Sequence, residues 1–304
     1  MNNKIYFSIP GYCSHYRLNM ILLKIKKYHQ DKFYDDIIID SIYDCFPGCI
    51  WNGGRPPMNN QPVSNQDIEY IMDNFNKREI SIRHTFTNSF LSEEHLLDTF
   101  GNFILNVSSK TGIKTGITLN SPLLKNYIEN KYPNNFYINW SATKCLSDIN
   151  EINILSKNNL VIPSYQDINN EWDKIQKLQY PENIELIVDE SCIDDCVYKS
   201  IHYLNLNAYT LFKNNNFKGC PFEKSANYYD KRTKRKHNIS IEDIRKKYLP
   251  LGINKFKIAG REENDINLIE TYINYFVKIE YKDYIRNEFL GSLFENKKTL
   301  DNLR

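Results

Sequence analysis

Eight short runs of β-branched and aromatic residues, separated by longer amphipathic stretches, constrain this 304-residue chain more than any other feature. They are Lys4 to Pro10, Asp36 to Tyr43, Ser81 to Thr87, Gly116 to Asn120, Phe136 to Thr143, Leu160 to Ser164, Ile184 to Ser191 and Lys255 to Gly260. Such runs read as strands, and the stretches between them carry the 3.6-residue apolar period of helices. Several of those stretches open on a capping residue: Ser64 before QDIEYIMDNF, Ser92 before EEHLLDTFGNFIL, Ser121 with Pro122, and Ser240 with Asp243. Strict alternation of strand and helix makes a parallel sheet. Eight such units in a single domain of residues 1–304 fit a closed (β/α)8 TIM-type barrel, an α/β fold, better than an open sheet. No glycine-rich phosphate loop follows the first run, which weakens a dinucleotide-binding reading.

Two connections exceed what a barrel needs. The segment YDCFPGCIWNGGRPPMNNQPVSN follows the second strand, and the stretch from Cys192 to the last strand includes an extra helix near Ile241 to Tyr248. Long loops inside a compact domain commonly carry function. The pieces Asn267 to Val277 and Asp283 to Glu295 read as closing helices.

Charge excludes little: 39 Lys and Arg against 37 Asp and Glu leave a formal +2, so only local clusters speak to polyanionic partners. No apolar run is long enough to span a membrane, and the start MNNKIYFSIPGYC goes straight into a strand pattern; a cytoplasmic protein is expected. Seven cysteines in a reducing compartment favour metal ligation or catalysis over a disulfide framework, with small buried hydrophobes as the plain alternative.

Active sites of such barrels lie in the loops after the strands, and most of the cysteines map there. Cys192, Cys196 and Cys220 group after the seventh strand, with Cys196 expected on the first turn of the next helix; Cys45 or Cys49 supplies a fourth thiolate, and Gly48 beside Cys49 favours that one. Four thiolates select zinc or an iron-sulfur cluster. Cys13 and Cys145, each alone in its loop, read as packing residues.

Other candidates share this rim. Arg261, in GINKFKIAGRE, has the planar fork that grips a carboxylate or phosphate, or else pairs with a rim carboxylate such as Glu190. Lys257 alternates with apolar neighbours on the last strand; of Asp189 and Glu190, one is expected to face the mouth and the other to face away. His202 is placed to support a cluster ligand or carry a proton, though a structural histidine is the commoner outcome. Arg55 and Asn88 complete the expected binding groups, and the run Lys231 to His237 is either a solvated surface or an attractor for RNA or another anion.

The segments YLPLGINKFKIAGRE, DESCIDDCVYKSIHY and GCP together resemble the collagenase-like family of U-type peptidases, in particular its UbiU/UbiV-like branch. The resemblance implies a [4Fe-4S] cluster on four cysteines and, for characterised branches, oxygen-independent hydroxylation with prephenate as the suggested oxygen donor. For this chain the expectation is a barrel enzyme with a cluster on Cys49, Cys192, Cys196 and Cys220, acting on a small anionic substrate held by Arg55, Asn88 and Arg261, with Glu190, His202 and Lys257 as reactive groups. Two alternatives stay open: a zinc-dependent or cysteine hydrolase on the same scaffold, with no HExxH to support it, and a non-catalytic subunit that pairs with a related barrel or serves RNA modification.

Overall fold

The computed structural model describes residues 4–54, 62–213 and 234–301, with side chains as far as residue 294. Its eight strands are β1 (Ile5–Pro10), β2 (Ile37–Asp44), β3 (Ser81–Phe86), β4 (Thr115–Leu119), β5 (Phe136–Trp140), β6 (Leu160–Val161), β7 (Glu185–Ile187) and β8 (Lys255–Lys257). All pair in parallel, in the order β6-β5-β4-β3-β2-β1-β8-β7, and one parallel bridge between Val161 and Ile184 joins the two ends into a barrel. The alternation of the sequence therefore becomes a (β/α)8 fold, with β6, β7 and β8 shorter than their apolar runs because the chain leaves the sheet early at the rim.

The long helices are α1 (Tyr16–Tyr28), α2 (Asn65–Asn76), α3 (Thr99–Ser108), α4 (Pro122–Lys131), α5 (Ile149–Ser156), α6 (Lys199–Phe212), α7 (Asp265–Phe276) and α8 (Lys282–Asp301). Each of the expected caps at Ser64 and Ser121 accepts a bond from a first-turn amide, of Asp67 and Leu124. The stretch after Ser92 departs from a single helix. It forms a 3-10 turn, Glu93–Leu97, and Asp98 then starts α3 afresh by accepting from the Gly101 amide. The extra helix near Ile241 is a short turn, Ile241–Asp243, capped by Ser240 and continued as a π-helical turn to Tyr248.

Alternation along the strands separates two interiors. Phe7 of β1 packs on Phe256 of β8 and on Tyr275 and Phe276 of α7, so the odd residues of β1 face the helices, and Ile5, Phe7 and Ile9 are fully buried there. Burying a side chain of this kind contributes about 1.5–3 kcal/mol. The opposite faces form a lumen that is polar, unlike the branched aliphatic filling usual in such barrels. Ser8, Arg83, Thr85, Thr118, Asn139, Glu185 and Lys257 are all buried.

Low in this lumen, Arg83 of β3 donates to Glu185 of β7 at 2.5 Å and to the Tyr137 hydroxyl of β5 at 2.9 Å. Gly116 of β4 makes room, since a Cβ there would stand 2.6 Å from the Tyr137 ring. Among the described residues, no helix is long and apolar enough to cross a membrane.

Candidate functional site

Above that ion pair, a cavity of about 80 Å3 opens between the C-terminal ends of the strands. Two cations, Lys257 and Arg261, and one carboxylate, Glu190, line it, and hydroxyls of Thr85, Thr87, Thr118, Ser141 and Thr143 make up much of the remaining wall. Tyr43, Tyr203 and Ile187 supply apolar surface.

Arg261 follows β8 by four positions and is almost fully buried. Its Nη1 donates to Thr85 Oγ1 at 2.8 Å and stands 4.0 Å from Asp44 Oδ1. The rim carboxylate that shares its charge is thus Asp44, at the end of β2, rather than Glu190. Asp44 is fully buried and accepts from the Ser14 amide (2.8 Å) and hydroxyl (2.9 Å), the Cys13 amide (3.2 Å) and the Cys45 amide (2.9 Å). One anion thereby ties the loops after β1 and β2 beneath the arginine. Thr85 accepts only one of the guanidinium's five donors. Gly54 lies against the group, where a Cβ would stand 2.8 Å from Nη2, so the loop after β2 approaches Arg261 only because residue 54 has no side chain.

Lys257 ends β8, in register with Ser8 of β1 and Ile187 of β7. Its Nζ is buried without a hydrogen-bond partner among the described residues and lies 3.0 Å from the centroid of the Tyr43 ring. The Tyr43 hydroxyl, donating to the Ile258 carbonyl at 2.7 Å, fixes that ring. Burial holds the Lys257 amine well below the usual lysine range, against the opposing pull of Glu185.

Asp189 and Glu190 are both buried, whereas alternation alone would turn one of them outward. Asp189 accepts from the Ala259 amide at 2.7 Å, which locks the end of β7 to the segment after β8. Glu190 reaches the cavity wall, and its Oε1 accepts from the Ser191 amide at 2.9 Å.

The other expected residues separate from this group. Asn88 donates to the carbonyls of Ile50 and Asn207 (3.3 and 3.2 Å) and accepts from the Phe90 amide, so it staples the loop after β3 and does not line the cavity. His202 sits on α6 and stacks on Tyr203, which lines the cavity where His202 does not. Arg55 and Cys220 lie outside the described residues.

Two pairs of thiols form. Cys45 and Cys49, both buried, lie beside each other after β2, and Cys192 lies beside Cys196 after β7. Burial first, and then the neighbouring Glu190, push the Cys192 thiol up to about 12. Cys196 precedes α6, which begins at Lys199, so it does not occupy that helix's first turn. Among the described residues, no group of three or more His, Cys, Asp or Glu is gathered closely enough to hold a metal ion. Taken alone they place two thiols at this edge of the rim, half of what a four-thiolate site requires.

The described part of the basic run is not wholly a solvated face. His237 is buried, donating from Nε2 to the Glu190 carbonyl at 3.0 Å with Nδ1 3.1 Å from Asp194, and exposed Lys236 pairs with Asp195. The sequence placed neither Asp44 nor Tyr43 in the site. An acidic residue at the end of a barrel strand, in YDCF, was the available signal for the first.

No family model matches the chain, and no curated protein does. A solved structure described as that of a U32 peptidase is similar to it, at 13% identity over 86% of this chain and 94% of the other, with a TM-score of 0.49. A likeness of that size carries no argument about activity, which has to come from the cavity itself.

Proposed function

We propose that this protein is an enzyme acting on a small carboxylate- or phosphate-bearing molecule bound in the barrel mouth, with Arg261 as its anchor and Lys257 and Glu190 at the reacting end. One observation carries the reading: a buried guanidinium, a buried amine and a carboxylate line a single cavity whose remaining polar wall is largely hydroxyl. In a site shielded from water, a guanidinium with donors to spare attracts an anion more strongly than it would at the surface. The threonine and serine hydroxyls donate or accept as the rest of the ligand demands.

The test is a thermal-shift panel of short carboxylates and phosphates on wild type and Arg261→Lys. A ligand that stabilises the wild type should bind about 1–3 kcal/mol more weakly to the variant, which keeps the charge but loses the fork. If no small anion shifts the melting of the wild type, the reading fails.

A second reading rests on the Cys192–Cys196 pair beside Glu190. Cys220 and Cys49 would have to join that pair to hold a [4Fe-4S] cluster or a zinc ion; a cluster so held would have every iron ligated and would supply electron transfer. Iron, sulfide and zinc analysis of anaerobically purified protein decides it. Stoichiometric iron with sulfide supports the cluster, zinc alone supports a closed four-thiolate zinc site of structural kind, and neither removes both.

A further inference from the structure

Lys257 has no evident structural task, and that sets it apart from the other charges of the lumen. Arg83 is paired with Glu185, Asp44 is held by three amides and a hydroxyl, Arg261 donates to Thr85, and Asp189 accepts from Ala259. The amine of Lys257 is more than nine-tenths buried, makes no hydrogen bond among the described residues and lies in the wall of the cavity. Keeping an ammonium there would forfeit its hydration without a carboxylate or hydrogen bond to replace it among the described residues. Facing it are Glu185 and Ile187 from β7, Arg83 from β3, Tyr43 and Asp44 from β2, and Arg261 after β8. The two guanidiniums repel a positive charge and burial disfavours it, while Glu185 is already paired to Arg83. Lysines desolvated beside another cation are the ones that act as amine nucleophiles toward carbonyl groups.

We propose that Lys257 is a covalent site that forms an imine with the carbonyl carbon of a short 2-oxo acid whose carboxylate lies on Arg261. The inference rests on the anion-binding reading above and adds the substrate class to it. Size supports a short acid, because a cavity of about 80 Å3 has room for roughly five to eight water-sized groups at about 10–15 Å3 each on the same measure. Geometry supports the pairing of groups, because the Lys257 Nζ and the Arg261 guanidinium both contact the Tyr43 ring, at 3.0 and 6.0 Å from its centroid.

The step balances without any change of oxidation state. The Nζ lone pair attacks the carbonyl carbon, forming a C–N bond and a carbinolamine. The former carbonyl oxygen then leaves as water as the C=N bond forms; both its hydrogens come from the amine, and Glu190, in the same cavity wall, relays the protons. The imine is an electron sink for a bond next to the former carbonyl carbon.

The experiment is borohydride trapping with pyruvate, and with acetaldehyde as an analogue lacking the carboxylate. Intact mass should rise by one reduced pyruvate adduct per chain, peptide mapping should place it on Lys257, and acetaldehyde should label that residue at least tenfold more slowly. The neutral fraction of an amine falls about tenfold for each pH unit that the pH lies below its pKa, so labelling of Lys257 should level off at a lower pH than labelling of surface lysines. An adduct spread over other lysines overturns the proposal, as does one that survives in Lys257→Met. A thermal shift with pyruvate but no adduct in the wild type overturns the imine and leaves the anion site standing. Neither a shift nor an adduct with any small anion defeats both.

Discussion

Arg83 and Lys257 are basic side chains buried in one lumen, and the barrel treats them in opposite ways. Arg83 has Glu185 at 2.5 Å, Asp40 at 3.5 Å and the Tyr137 hydroxyl at 2.9 Å. Lys257 has the face of Tyr43. A guanidinium stays charged wherever it is placed and must therefore be partnered when buried, whereas an amine escapes the same demand by shedding its proton. The lower position is a fixed charge pair that braces strands; the upper is an amine at the mouth whose charged form burial disfavours. Burial alone does not tell a structural cation from a reactive one, and the hydrogen-bond partners do.

The largest expected effect breaks the lower half of this comparison. Glu185→Gln keeps the shape but leaves Arg83 without its close counter-charge, and should cost about 3–5 kcal/mol in denaturant unfolding, the scale of a buried pair that loses one member. A loss below about 1 kcal/mol would mean that Asp40 suffices and that the two cations differ less than their contacts suggest.

A smaller effect of opposite sign sharpens the upper half. Lys257→Met should stabilise the protein by about 0.5–2 kcal/mol near neutral pH while abolishing imine trapping, the usual trade between a reactive group and stability. The sign follows from proton linkage. Because the folded-state pKa of Lys257 is depressed, the unfolded chain binds more protons between that value and the ordinary lysine value, and wild-type stability rises with pH across this window. The advantage of Lys257→Met should therefore shrink as pH rises toward about 10.4. A pH-independent difference, or a destabilised variant, would make Lys257 a packing residue.

The smallest effect concerns cations with no part in the lumen. Replacing exposed Lys234 and Lys236 by Gln should change stability by no more than about 0.5 kcal/mol, since Lys236 holds only a surface pair with Asp195. If the same change flattened the salt dependence of binding to RNA, the run would count as a polyanion contact.

Much of the fold was legible because its signals are local. Alternating apolar periods and caps at Ser64, Ser121 and Ser240 lie within a few residues of the elements they start, and all eight strands follow. Part of the site was legible for a related reason: the C-terminal ends of parallel strands share one rim, which brings Glu190, Lys257 and Arg261 together from strand order alone. Asp44 beneath Arg261 and Glu185 against Arg83 were not visible, because those pairs join residues 217 and 102 positions apart and exist only once the barrel closes. Asn88 looks like a binding group in the sequence and His237 like the end of a charged run, but backbone carbonyls take up their donors, and no spacing rule foretells that.

The closure itself is thin. β6 has two residues, β7 has three, and one bridge from Val161 to Ile184 joins this side of the sheet. During synthesis and refolding, a sheet that has not yet closed exposes two edges, and unpaired edge amides are what neighbouring chains seize upon to aggregate. Here the edges that meet at the seam are also too short to offer another molecule more than a few hydrogen bonds, so the seam that closes the barrel least firmly also gives the unfinished chain some protection in a crowded solution.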